Sequence, residues 1–374
     1  MTKSGKIILR GKYRAAIDQF VKSTPLQRMP TIDFNDEFDV MVNTAAKAYS
    51  RYLDVTQVTN IILDTICDFD SRNADEDGAL IGDLAELQKK LVDDIVAALA
   101  AFPRDYRVTL QFYPSKDWPD ARYELGDNVA LLFQSGRGFL EFELTGYANS
   151  TSDTGVALTA YSKAKIFVFL AHNYLPFNSH IGQTGQSAEA RDCENNTVIK
   201  MRVPDPLARC LNGLNLDAHM RAKLLQPAGD AAIEVALADG LRFVKNVFAL
   251  EGKTGYDAIA AAIEWYEDSR FASNQTVALL SACIGLEALL RGEEQESDLS
   301  NRLADRYAYM LGRNPTQRKE LFGDYKSVLT LRGKLVHSKQ ARLSEEDRVI
   351  LRRSQGMLKA VIKHELAALL EHHA

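Results

Sequence analysis

Near the end of the chain, Leu331-Arg332-Gly333-Lys334-Leu335-Val336-His337 sets a permanently charged guanidinium and a neutral-pH proton carrier five residues apart. Arginine grips phosphate oxygens through a planar fork of donors, and histidine takes up or releases a proton near pH 7. Side by side, such groups hold a phosphate and move a proton next to it. Cleavage of RNA by its own ribose 2′-hydroxyl needs both actions. The spacing also limits the geometry. On a helix five residues turn through about 500°, or about 140° net, so Arg332 and His337 do not stack on one face.

Three apolar-patterned helical pieces lead to the pair. In Thr276–Gly292, Gly285-Leu286-Glu287-Ala288-Leu289-Leu290 places one acid in an apolar helix. Leu299–Gly312 carries Asn301-Arg302-Leu303-Ala304-Asp305-Arg306 and then Tyr307-Ala308-Tyr309-Met310-Leu311. Leu321–His337 runs from Asp324-Tyr325 into the Arg–His segment, and a last helix over Ser344–Leu370 closes the set. A lone acid in such a setting pairs with a core arginine, because a buried charge needs a partner. Arg302 or Arg306 is the expected partner of Glu287, and Arg306, set against the Tyr307–Leu311 run, is likewise read as structural.

Taken in this order, the pieces resemble the HEPN superfamily, and within it the ApeA-like HEPN domains, over roughly residues 256–374. The resemblance implies an all-α bundle that dimerises so that two motif copies line one cleft. It also implies metal-independent endoribonuclease activity, with no cofactor and no metal. His337 is then the general acid or base, and Arg332 holds the scissile phosphate and offsets the charge that builds there. Lys334, Lys339 and Arg342 are expected to follow the RNA backbone, and DNA is spared because it lacks the attacking hydroxyl. A role as a phage-defence or toxin-like effector answering an unknown trigger or regulatory partner also comes from the resemblance. Two positions depart from the family pattern: Gly333 stands where a polar residue usually follows the arginine, and Ser338 where glycine often follows the histidine. The alternative is a non-catalytic HEPN module that binds nucleic acid or a partner protein, beside a β-rich sensor domain.

Composition agrees with an ordinary globular chain: 374 residues, 46% hydrophobic and 25% charged, with net charge −5. The charge is uneven. Residues 302–364 hold 15 Lys and Arg against 6 Asp and Glu, so the basic excess is concentrated around the Arg–His pair. No apolar run approaches the ~20 residues of a membrane helix, and no signal-like stretch follows Met1, so a cytoplasmic location and no membrane partner are expected. Cys67, Cys193, Cys210 and Cys283 have no CxxC spacing, and His172, His180 and Cys193 are too loosely spaced for a metal motif. Gly252-Lys253-Thr254 lacks the upstream glycine of a nucleotide-binding loop, which argues against nucleotide hydrolysis.

Periodicity predicts an α+β chain in three zones. Residues 1–103 read as helical, most clearly over Leu80–Phe102, with Asp68–Gly78 as an exposed acidic turn. Residues 104–204 read as a β-rich, antiparallel domain for sensing or regulation. Its expected strands include Tyr106–Phe112, Asn128–Phe133, Leu140–Leu144, the apolar run Ala164–Ala171 and Thr197–Val203, with Asn173–Asn196 as a long loop. Residues 205–374 read as all-α, with helices starting near Pro206, Asp217, Asp230, Tyr256, Asn274, Asp298, Thr316 and Ser344.

Overall fold

The computed structural model describes residues 11–23, 36–49, 53–75, 80–113, 120–149, 154–175, 177–179, 187–212, 214–216, 231–291, 298–337 and 343–373. The fold is α+β: N-terminal helices, a central six-stranded antiparallel sheet and a C-terminal helical region. Two compact units divide the chain. One comprises Met1–Val108, Glu143–Thr159 and Glu189–Met201; the other comprises Thr109–Phe142, Ala160–Ala188 and Arg202–Ala374.

The first unit contains α1 (Gly11–Ser23), α2 (Asp36–Tyr49), α3 (Val55–Asn73) and α4 (Leu84–Ala100). Their apolar faces meet through Phe20, Phe38, Ile62, Phe69, Leu91 and Leu99, all buried. A capping box opens α3: the Asp54 carboxylate accepts from the Gln57 N–H at 2.7 Å, and the Gln57 side chain accepts from the Asp54 N–H at 3.2 Å. Because α3 continues to Asn73, the expected acidic turn begins later than Asp68; residues 76–79 lie outside the described set.

The sheet order is β2-β3-β4-β1-β6-β7, with β1 Arg104–Phe112, β2 Ala121–Gly126, β3 Val129–Gln134, β4 Arg137–Gly146, β6 Ala188–Asp192 and β7 Val198–Met201. Ser135 (φ 53°) and Gly136 (φ 75°) form the two-residue turn between β3 and β4, and two left-handed residues suit the twist of such hairpins. Alternate residues of β1, Val108, Leu110 and Phe112, are buried, as the period of two predicts.

Ala164–Ala171 is not a strand. It lies within α5 (Gly155–Tyr174), whose residues Phe167 to Ala171 are fully buried. A run that is apolar on every side satisfies a buried helix as well as a buried strand, so period alone does not separate them. Asn173–Asn196 is likewise more than a loop, since it holds β5 (Phe177–Ser179) and β6; His180 lies outside the described residues.

The helical C-terminal region consists of α6 (Asp205–Asn212), α7 (Ala231–Phe248), α8 (Tyr256–Phe271), α9 (Gln275–Leu290), α10 (Leu299–Leu311), α11 (Pro315–His337) and α12 (Glu345–His373), with the short strand β8 (Leu214–Leu216) after α6. Seven of the expected starts fall within one residue of these; the eighth, near Asp217, lies outside the described residues. Local capping explains the agreement. Asn274 accepts from the N–H groups of Thr276 and Val277, and Ser344 and Asp347 cap each other reciprocally at the start of α12. Helix α9 packs on α8, α11 and α12. The approach is close at Gly285, where an added Cβ would lie 2.7 Å from a Leu358 methyl and 3.1 Å from Trp265 Cβ.

Candidate functional site

Helix α11 is seated by Tyr325, Val328, Leu331 and Leu335, the four buried residues of its inner face. Arg332 follows Leu331 at the edge of that face, with its side chain 39% exposed. Its Nη2 lies 3.2 Å from Oε1 of Glu287 on α9, whose side chain is 23% exposed. Two residues earlier, about 200° round α9, Gly285 lets the helix seat closely against Leu358. Both charges border buried Cys283 and Tyr325; burial raises the Cys283 thiol, Arg332 opposes that rise, and the negative charge of Glu287 adds a smaller increase.

His337 is exposed and ends α11. Since α11 is one continuous helix from Pro315, the angular argument applies directly: His337 points about 140° away from Arg332 and stands about 7.5 Å further along the axis. A single chain therefore does not bring the two side chains together on one face. Gly333 lies between them with nothing within 4 Å of a would-be Cβ, so no neighbour forces glycine at this position.

The expected partnership of Glu287 with Arg302 or Arg306 is corrected by the Arg332–Glu287 pair. Sequence order misled here because α11, remote in the chain from Glu287, packs on α9. Arg306 has a structural role: its Nη1 donates to the Leu290 carbonyl at 2.8 Å and satisfies an oxygen of the last turn of α9. Arg302 is exposed on α10, and Lys334 is exposed two residues after Arg332. Lys339 and Arg342 lie outside the described residues.

Two features escaped the sequence reading. Lys326 lies eleven residues, about three turns, before His337 and so on the same side of α11, and its Nζ donates to Asn301 Oδ1 at 2.8 Å. Counting helical turns back from His337 would have found it. The second is apolar surface around the ion pair. Ile284, 39% exposed, precedes Glu287 by three residues, and Val336, 55% exposed, follows Arg332 by four. Helical spacing thus sets Ile284, Glu287, Arg332 and Val336 beside one another on two packed helices.

Comparison with protein-family models, with curated proteins and with solved structures finds no match to this chain. No helix of the described residues is long and apolar enough to cross a membrane.

Proposed function

We propose that the chain is a HEPN-type, metal-independent endoribonuclease that works as a dimer, with Arg332 and His337 from two copies lining one cleft. The observation that carries this reading is the placement of the pair at the end of α11. Arg332 is 39% exposed at the edge of the packed face and His337 is exposed at the helix end, near exposed Lys334. Their divergence on one helix is what a composite site needs, because a second copy supplies the missing neighbour. The exposed Ile284 and Val336 beside the ion pair suit burial against that copy.

In this scheme the ribose 2′-hydroxyl attacks the adjacent phosphorus, forming a 2′,3′-cyclic phosphate and breaking the bond to the 5′-oxygen. His337 takes the proton from the 2′-hydroxyl or gives one to the departing 5′-oxygen. Arg332 turns from Glu287 to the phosphate and offsets the charge that builds on its oxygens. The effector role, in phage defence or toxin-like growth arrest, rests on the family resemblance alone.

One observation favours a second reading. Arg332 is already neutralised by Glu287 at 3.2 Å, as suits a folding element of a non-catalytic module that binds nucleic acid or a partner protein. An RNA-cleavage assay in EDTA separates the two. Wild-type protein should cut RNA to 2′,3′-cyclic phosphate ends, and His337→Ala should lose at least about 100-fold in rate while keeping the wild-type Tm. Equal silence from wild type and variant, on folded dimers supplied with cell extract as a source of trigger, would overturn the nuclease in favour of the module.

A further inference from the structure

Basic groups from four helices meet at the C-terminal end of α8, on elements that do not carry the Arg332–His337 pair. Arg270 Nη1 lies 3.2 Å from His172 Nδ1 on α5, and the guanidinium stands 5.0 Å from the Phe271 ring centre and 5.7 Å from that of Tyr266. Arg209 on α6 donates to the Phe271 carbonyl at 3.1 Å. Gln355 on α12 donates to both the carbonyl and the hydroxyl of Ser269, at 2.9 and 3.0 Å, and so pins α12 to this end of α8. Lys359 and Lys363 follow Gln355 at four-residue steps, on the same face of α12. Lys363 Nζ stands 5.3 Å from the ring centre of Tyr174, the last residue of α5.

The nearby acids do not balance these cations. Asp268 is held by Lys165 on α5 at 2.7 Å. Glu267 is fully buried, its nearest cation is Arg270 at 3.5 Å, and neither of its oxygens accepts a hydrogen bond among the described residues. Burial, against the pull of Arg270 and Lys165, raises its carboxyl to about 7, so near neutrality it supplies only part of a charge. Among the described residues neither Lys359 nor Lys363 pairs with a carboxylate. Burial first, then Lys363 and Arg270, lowers the Lys359 ammonium below its ordinary range. Like charges one turn apart on a helix repel, and a bound anion relieves that repulsion.

We propose that Arg270, Lys359 and Lys363, with His172 at the rim, form a binding site for a small phosphate-bearing anion, separate from the Arg332–His337 pair. Arginine supplies a planar fork and the two lysines supply point charges, a set that matches the oxygens of a phosphoryl group. The size of the ligand follows from burial. The Arg270 side chain is only 20% exposed, which leaves room for a small anion rather than for a polymer running across it.

Thermal unfolding of the full chain in sodium phosphate, against sodium chloride of equal ionic strength, tests the site. Phosphate should raise the Tm of wild type by about 2 °C or more, and adenosine monophosphate should do the same. Lys359→Met and exposed Lys363→Ala should lose the increment, each measured against its own Tm in chloride, and His337→Ala should retain it. The comparison of variants matters because phosphate also stabilises proteins by exclusion from their surfaces. An equal increment in wild type and both lysine variants, or none in wild type, overturns the site. A response to single-stranded RNA alone, lost in the same variants, overturns the small-anion assignment in favour of a polynucleotide.

Discussion

At the scale of single residues, the Arg332–Glu287 pair decides what the candidate site does at rest. A carboxylate 3.2 Å from the guanidinium occupies the position that a phosphate would take in the proposed reaction. Both groups are partly exposed, so the pair contributes about 1 kcal/mol at most. Glu287→Gln should therefore leave the fold intact and strengthen RNA binding by about fivefold, the equivalent of ~1 kcal/mol. Weaker binding in a filter or fluorescence-anisotropy titration would instead make Glu287 a positioning residue for Arg332. The residue types at Arg332 and His337 and their five-residue spacing were legible in the sequence because both are local facts. The partner of Arg332 was not, because the Glu287–Arg332 contact depends on two helices packing.

At the scale of elements, the C-terminal helices were legible almost to the residue. Capping groups such as Asn274, Ser344 and Asp347 act on backbone N–H groups two or three positions away, so their effect is written locally. Strand β1 was legible because one of its faces is buried and the other is not. Helix α5 was misread because Phe167 to Ala171 are enclosed on all sides, and no polar residue marks the helical period within that stretch. Glu267 shows how enclosure changes chemistry as well as pattern. With its carboxyl raised from 4.5 to about 7 by burial, the folded chain binds more protons than the unfolded chain between those values. Stability should thus fall as pH rises from about 4.5 to about 7 and change little from this group above that. Glu267→Gln should have a Tm nearly equal to that of wild type at pH 5 and higher at pH 8, with up to about 3 kcal/mol removed by the substitution. A Tm difference that stays constant across that range would show that Glu267 is ionised throughout.

At the scale of the whole molecule, oligomeric state is the main functional prediction. Arg332 and His337 point about 140° apart on one unbroken helix, and in the proposed reading the site that uses both draws on two copies. Arg332→Ala and His337→Ala, each inactive alone, should recover part of the RNA-cleaving activity when co-expressed, since one mixed cleft keeps an intact Arg332 and an intact His337. Mixed dimers that form yet stay inactive would exclude the shared cleft. The amino-acid sequence by itself determined the α+β class, the positions of the capped helices and half-buried strands, and the chemical groups available near the C-terminus. Each of these depends on neighbours within a few residues, through hydrogen bonds and hydrophobic period. Only the tertiary structure decided that Ala164–Ala171 is helical, that Glu287 faces Arg332, and that Gln355 pins α12 to the end of α8. Those outcomes depend on which surfaces exclude water together, and the contacts that settle them join residues far apart in the chain.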